Sequence, residues 1–164
     1  MSIRTPRLLL APLAALSCAA AAGAVQVSFV DPASFTDLGT SRWDEAANMQ
    51  AIERHLQSLG ARLLPADQVL TVDVLEVDLA GTVRPSRLGS PDLRVITGTA
   101  DFPRLHLRYT LARQGVTERS GEDRLADLNY TRGLRTPAES QSLYYEKRML
   151  DAWFKGRFVD GRAD

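Results

Sequence analysis

From Val69 to Gly81 the chain reads VLTVDVLEVDLAG, and this run limits the fold more than any other stretch. Its β-branched residues favour extended backbone. Apolar residues fall on both alternations, with Val69, Leu75, Val77 and Leu79 on one and Leu70, Val72 and Val74 on the other. A strand apolar on both faces belongs inside a sheet, with neighbours beside it and a further layer stacked on it. The rest of the chain has to supply both.

It does so in a readable order. VQVSFV, Val25 to Val30, alternates with the two-residue period of a half-buried strand, and Asp31-Pro32 stops it. WDEAANMQAIERHLQSLG repeats Trp43, Ala47, Ile52, Leu56 and Leu59 at helical intervals, and Gly60 stands where a helix C-cap belongs. Thr82 to Asp92, with Pro85, Gly89 and Pro91, reads as an exposed loop; LRVIT follows as a short strand, and Asp101-Phe102-Pro103 turns a corner. RLHLRYTLAR alternates again, and Gln114-Gly115 folds it directly onto VTERSGEDRLADLNY as a β-hairpin. With Arg113 opposite Val116, His106 falls opposite Asp123 unless a bulge at Ser120-Gly121 shifts the register. GLRTPAES leads into a second helix that starts near Ala138 to Ser140 and contains YYEKRMLDAWF. The order β-α-β-β-β-α predicts an α+β fold: a two-layer sandwich with a mixed, mostly antiparallel sheet of four to five strands and two helices packed on one face.

The first 24 residues read differently. Arg4 and Arg7 precede an apolar run from Leu8 to about Leu16, and small residues follow up to Ala22-Gly23-Ala24, the layout of a cleaved secretory signal. That run is shorter than the roughly 20 residues of a membrane-spanning helix. Cys18 admits a second reading, lipid attachment, but Ala15-Leu16-Ser17 lacks the leucine usual three places before a lipidated cysteine. The expectation is therefore an exported, periplasmic chain that begins at Val25 and forms one domain over residues 25–164. Removing 24 of the 164 residues leaves 140, enough to bury a core without disulfides, and Cys18 is the only cysteine. Without Arg4 and Arg7 the 20 basic residues fall to 18 against 20 acidic ones, so nothing points to nucleic acid.

The segments DPASFTD, VLEVDLAG, RVITGTADFPRLHLRYTL, SGEDRLADLNY and YYEKRMLDAWF occur in this order, from about Val27 to Phe158. In them the chain resembles a bacterial secreted family known as domain of unknown function 3016. The resemblance implies a Gram-negative envelope origin and carries over no activity and no catalytic residues. The element order also resembles that of small envelope accessory domains, a likeness of fold alone.

Two histidines, His55 and His106, bound the catalytic chemistry. His106 with Asp123 is the tempting pair, because an acid beside an imidazole fixes its tautomer for base catalysis. The plainer reading is a cross-strand polar pair on the less buried face of the hairpin. Asp73, Glu76 and Asp78 cluster in sequence, but strict alternation sends Asp73 to one face and Glu76 with Asp78 to the other. No oxygen-rich loop accompanies them, so neither a metal nor a cofactor is expected. In YYEKRMLDAWF, Leu143, Leu150, Phe154 and Phe158 form one stripe, Tyr145, Met149 and Trp153 widen it, and Arg148, Asp151 and Lys155 gather opposite. Packing on a sheet accounts for the stripe. Tyr144, Arg148 and Asp151 stand at its polar rim, and tyrosine and arginine are the residue types that anchor protein interfaces. These readings favour a non-catalytic binding or accessory domain of the bacterial envelope with another envelope protein as partner. The alternative is a small hydrolase or ligand-binding enzyme centred on His106 and nearby carboxylates.

Overall fold

A computed structural model describes residues 23–85, 92–98, 100–132 and 142–161. Residues 1–22, which hold Cys18 and most of the segment 1–24 read as a signal, lie outside the described residues, as does the expected helix start at Ala138 to Ser140; among the described residues the second helix begins at Tyr144, after Leu143 in the left-handed region (φ 56°). In chain order the elements are β1 (Ala24–Phe29), a 3-10 turn (Pro32–Ser34), α1 (Arg42–Leu63), β2 (Gln68–Asp78), β3 (Thr82–Arg84) and β4 (Leu93–Val95). They continue with β5 (Arg104–Arg113), β6 (Val116–Ala126) and α2 (Tyr144–Phe154), which runs on into a π-helical turn (Lys155–Val159). The main sheet has four strands in the order β1-β2-β5-β6, with β1 parallel to β2 and the other pairs antiparallel. Both helices contribute to the one core cluster on a single face of this sheet, which is the two-layer α+β arrangement expected. Within the stretch read as a loop, Thr82–Arg84 instead pairs with Leu93–Val95 as a separate two-stranded ribbon.

β2 is central, as expected, but its faces are not those that strict alternation assigns. Val74 pairs with Leu107 and Glu76 with His106, so Leu75 is an extra residue in a β-bulge. The bulge reverses the phase of everything after it. Leu70, Val72, Val74, Val77 and Leu79 are consequently all buried in the same core, against Leu105, Leu107, Tyr109 and Leu111 of β5. Asp73, Glu76 and Asp78 all face the other way, opposite Arg108, His106 and Arg104. The separation of Asp73 from the other two carboxylates is thus corrected.

α1 opens on Ser41, whose hydroxyl accepts the Asp44 N–H at 3.2 Å, with Asp44 and Glu45 in the first turn where the helix dipole favours them. Its buried stripe is Ile52, Leu56 and Leu59, with Met49 and Leu63 packed alongside. Trp43, assigned from sequence to that stripe, is 87% exposed. Nine positions separate it from Ile52, about two and a half turns, so it emerges on the opposite side. Gly60 is not the C-cap either. It lies inside the helix, where a Cβ would meet Val25 Cγ2 at 2.1 Å, and the helix ends at Leu64 before Pro65. Glycine there lets α1 lie directly on β1.

The hairpin turns at Gln114 (φ 48°) and Gly115 (φ 82°), both in the left-handed region that suits a two-residue turn between twisted strands. We expect Gly60→Ala to destabilise the protein by about 1–3 kcal/mol, because overpacking against Val25 outweighs the roughly 1 kcal/mol gained in helix propensity. Urea unfolding measures this, and an unchanged or more stable variant would contradict the close helix-strand contact.

Candidate functional site

Where α1 and α2 run side by side, their outward residues leave a groove of about 540 Å³. α1 supplies Ala51, Arg54, His55 and Ser58, and α2 supplies Tyr144, Lys147, Arg148 and Asp151, spacings of three and four that put each set on one helix face. The three rim residues expected from sequence, Tyr144, Arg148 and Asp151, therefore do converge on one concavity. Sequence reasoning missed their neighbour His55, whose Nε2 lies 2.9 Å from Asp151 Oδ1 and 3.2 Å from the Lys147 carbonyl oxygen. No local pattern announces a contact between residues 96 positions apart.

Arg148 forms one wall. Burial works against its charge, but its guanidinium donates to Asp127 at 2.8 Å, and its pKa is raised on balance. It also donates to the Tyr130 carbonyl at 2.6 Å and lies 5.8 Å from the ring centres of Tyr144 and Tyr145, which meet edge to face. Arg148 is held rather than mobile. Lys147 donates to the Ser142 carbonyl at 2.7 Å, while Arg54 is exposed and makes no hydrogen bond or ion pair among the described residues.

His106 and Asp123 are not brought together. β6 carries a bulge between Thr117 and Arg119 rather than at Ser120-Gly121, because Ala112 pairs with Thr117 and Leu111 already with Arg119. The one-residue shift sets His106 opposite Arg124 and Leu107 opposite Asp123, placing the two groups on opposite faces of the sheet. Asp123 turns to the helix side, where it accepts from Trp153 Nε1 and from the Arg157 guanidinium, each at 2.8 Å. His106 lies on the face away from both helices, with Nε2 2.7 Å from Glu122 Oε1. Arg108 donates to the other oxygen of Glu122 at 3.3 Å, and these two contacts, Arg108 first, lower the Glu122 pKa. The same face holds Arg104 donating to Asp78 at 2.5 Å, Ser28 to Asp73 at 2.5 Å, and the Thr36 N–H to Glu76 at 2.6 Å. It is a ladder of alternating charge across three strands. Among the described residues, no group of three or more His, Cys, Asp or Glu side chains is placed to hold a metal ion.

The family model described as protein of unknown function DUF3016 matches residues 23–156. The chain belongs to that family. Compared with curated proteins, it gives no match. The matched span includes both helices of the groove and all six strands found among the described residues of this DUF3016 member. No described helix is long and apolar enough to cross a membrane.

A second polar node in this DUF3016 member has no signature in the sequence. Glu146, only 3% exposed, points from α2 into the protein and accepts the Ala80 N–H at 2.7 Å. Burial raises its pKa, and the Ala80 N–H and the Arg94 charge offset this only in part. Arg94 itself grips Asp37 with two hydrogen bonds of 2.7 and 2.8 Å. Nearby, the Tyr130 hydroxyl donates to Asp101 at 2.8 Å and accepts the Gly98 N–H at 3.1 Å. Burial and the Asp101 carboxylate push that hydroxyl up to about 12. Asp101 is held below the usual carboxylate range, since hydrogen bonds from the Thr97 N–H and the Tyr130 hydroxyl overcome its burial.

Because Glu146 binds its proton more tightly folded than unfolded, it favours the fold at low pH and opposes it as pH rises above its ordinary value of 4.5. Glu146→Gln keeps an acceptor for Ala80 and loses that opposition. We expect the variant to gain stability relative to wild type progressively as pH rises above 4.5 in urea unfolding. A stability difference independent of pH would contradict this.

Proposed function

We propose that the chain is an exported, non-catalytic binding or accessory module of the bacterial envelope, which engages a partner protein at the groove between α1 and α2. The observation that carries the reading is the convergence of Tyr144, Arg148 and Asp151 with Arg54, His55 and Lys147 around one concavity. An aromatic ring and a fixed arginine provide the rigid contact area typical of interface anchors. Arg54 and Lys147 add positive charge at the rim, and the pairing of Arg148 with Asp127 and of His55 with Asp151 leaves theirs the least compensated. The partner chemistry that fits is an acidic segment. The layout of residues 1–24 supports export, with cleavage ahead of Val25 preferred over lipid attachment at Cys18.

The alternative, an enzyme centred on His106, gains less from the arrangement. The His106 ring is taken up in a cross-strand ladder with Glu122, and Asp123, the acid assigned to orient it, lies on the other face. The groove can be tested without disturbing the core. In pull-downs from the envelope fraction of the native host, we expect Arg54→Glu with Lys147→Glu to reduce recovery of a co-purifying protein by about tenfold or more. Stability should stay within about 0.5 kcal/mol of wild type, as for other surface changes. Equal recovery by the variant and wild type would overturn the groove as the contact.

A further inference from the structure

β6 ends the main sheet, and among the described residues no strand pairs with its outer side and no backbone–backbone hydrogen bond joins it to any element but β5. Alternate residues of such an edge direct both their N–H and C=O groups outward, which makes a template for one more strand. Proteins ordinarily blunt an edge with a bulge, a proline or charge. The bulge in β6 lies beside Glu118, and the stretch from Ser120 to Ala126 beyond it keeps a regular register with β5 and contains no proline.

A cavity runs along that stretch. α2 stands off from β6 and leaves about 350 Å³ beside the strand, walled by Leu125 on β6, by Met149, Ala152 and Trp153 on α2, and by Gly156 in the π-helical turn. Polar links hold the two walls in place: Asp123 accepts from Trp153 Nε1 and from the Arg157 guanidinium, and Arg119 donates to the Arg157 carbonyl. An open strand edge with a helix beside it and an apolar cavity between them has the parts needed to hold an extended peptide. The edge takes the peptide backbone and the cavity takes alternate side chains.

The two faces of β6 define the chemistry of that peptide. Asp123 and Leu125 pair with Leu107 and Leu105 and lie on the helix side, whereas Arg124, opposite His106, lies on the other. In an added strand, the residues on either side of the one facing Arg124 therefore point toward the cavity. There they meet the apolar surface of Leu125, Met149 and Ala152, and an Asp123 carboxylate already bonded to Trp153 and Arg157. Arg124 is exposed and makes no hydrogen bond or ion pair among the described residues. Glu122 on the same face is engaged by His106 and Arg108, so Arg124 presents an uncompensated cation to whatever lies across from it.

We propose that the β6 edge is a peptide-binding site: it takes an extended segment of a partner protein as a further strand of the sheet, with an acidic residue against Arg124 and an apolar residue on each side of it directed into the cavity beside α2. This site is separate from the groove, which lies on the flank of α2 that meets α1.

Fluorescence anisotropy with the purified chain, as exported by a bacterial host, and an end-blocked, labelled heptapeptide alternating leucine with glutamate tests it. Wild type should bind with a dissociation constant of about 10–100 µM, and a peptide of the same composition with its leucines and glutamates in separate blocks should not bind. Arg124→Glu should weaken the alternating peptide about tenfold and prefer its leucine–lysine counterpart, because the cross-strand pair changes from attraction to repulsion. Ala152→Phe, at an exposed position of α2, fills the cavity and should abolish binding, whereas Arg54→Glu with Lys147→Glu should leave it unchanged. Amide hydrogen exchange along β6 should slow when the peptide binds. Absence of binding, equal binding of the block peptide, or indifference to both Arg124→Glu and Ala152→Phe overturns the proposal. So does a peptide-free dimer whose β6 amides are already protected, which would give the edge to a second copy of the chain.

Discussion

The extra residue in β2 is the constraint on which the rest of the structure depends. Without the bulge at Leu75, Val77 and Leu79 would face away from the helices, and each such aliphatic side chain contributes roughly 1.5–3 kcal/mol when fully buried. Glu76 and Asp78 would enter the core in their place, at the cost of desolvating two carboxylates. The balance falls so heavily on one side that the bulge follows from composition. Its second effect is the charge ladder, because the same phase change lines up Asp73, Glu76 and Asp78 against Arg108, His106 and Arg104.

The helices are seated on this sheet by contacts of different kinds. α1 comes close through Gly60 over Val25, a contact of shape. α2 is anchored through Met149, Leu150, Trp153 and Phe154 in the core and through the buried Glu146 carboxylate on the Ala80 N–H. Between the helices, His55 and Asp151 make a polar bridge in place of an apolar seam. The groove exists because that bridge and the fixed Arg148 hold polar walls where a tighter helix pair would have interdigitated aliphatic side chains.

Much of this was legible in the sequence. The element order, the central place of β2, the Gln114-Gly115 turn and the alternation of β5 all follow from local period and turn chemistry. What failed was phase. Two bulges, at Leu75 and beside Glu118, each shift side chains by one residue, and a period-2 reading has no means of registering an inserted residue without its partner strand. That is why Glu76 and Asp78 were assigned to the wrong face, apart from Asp73, and His106 to the wrong partner. β2 was placed correctly inside the sheet although the argument for it, two apolar faces, does not hold: one face is polar. Trp43 was misassigned by counting intervals of three to five without summing them around the helix. The rim of α2 was identified from side-chain type alone, whereas His55 and Glu146 acquire their roles from contacts distant in sequence.

The claim that the helix-side groove, rather than the charged sheet face, meets a partner is tested most directly by site-specific photocrosslinking in living cells of the native host. The probe is placed at Ser58 in the groove or at Thr110, which pairs with Ser120 on the face away from the helices. The account predicts a discrete protein adduct from Ser58 and none from Thr110. An adduct from Thr110 with none from Ser58 would contradict it.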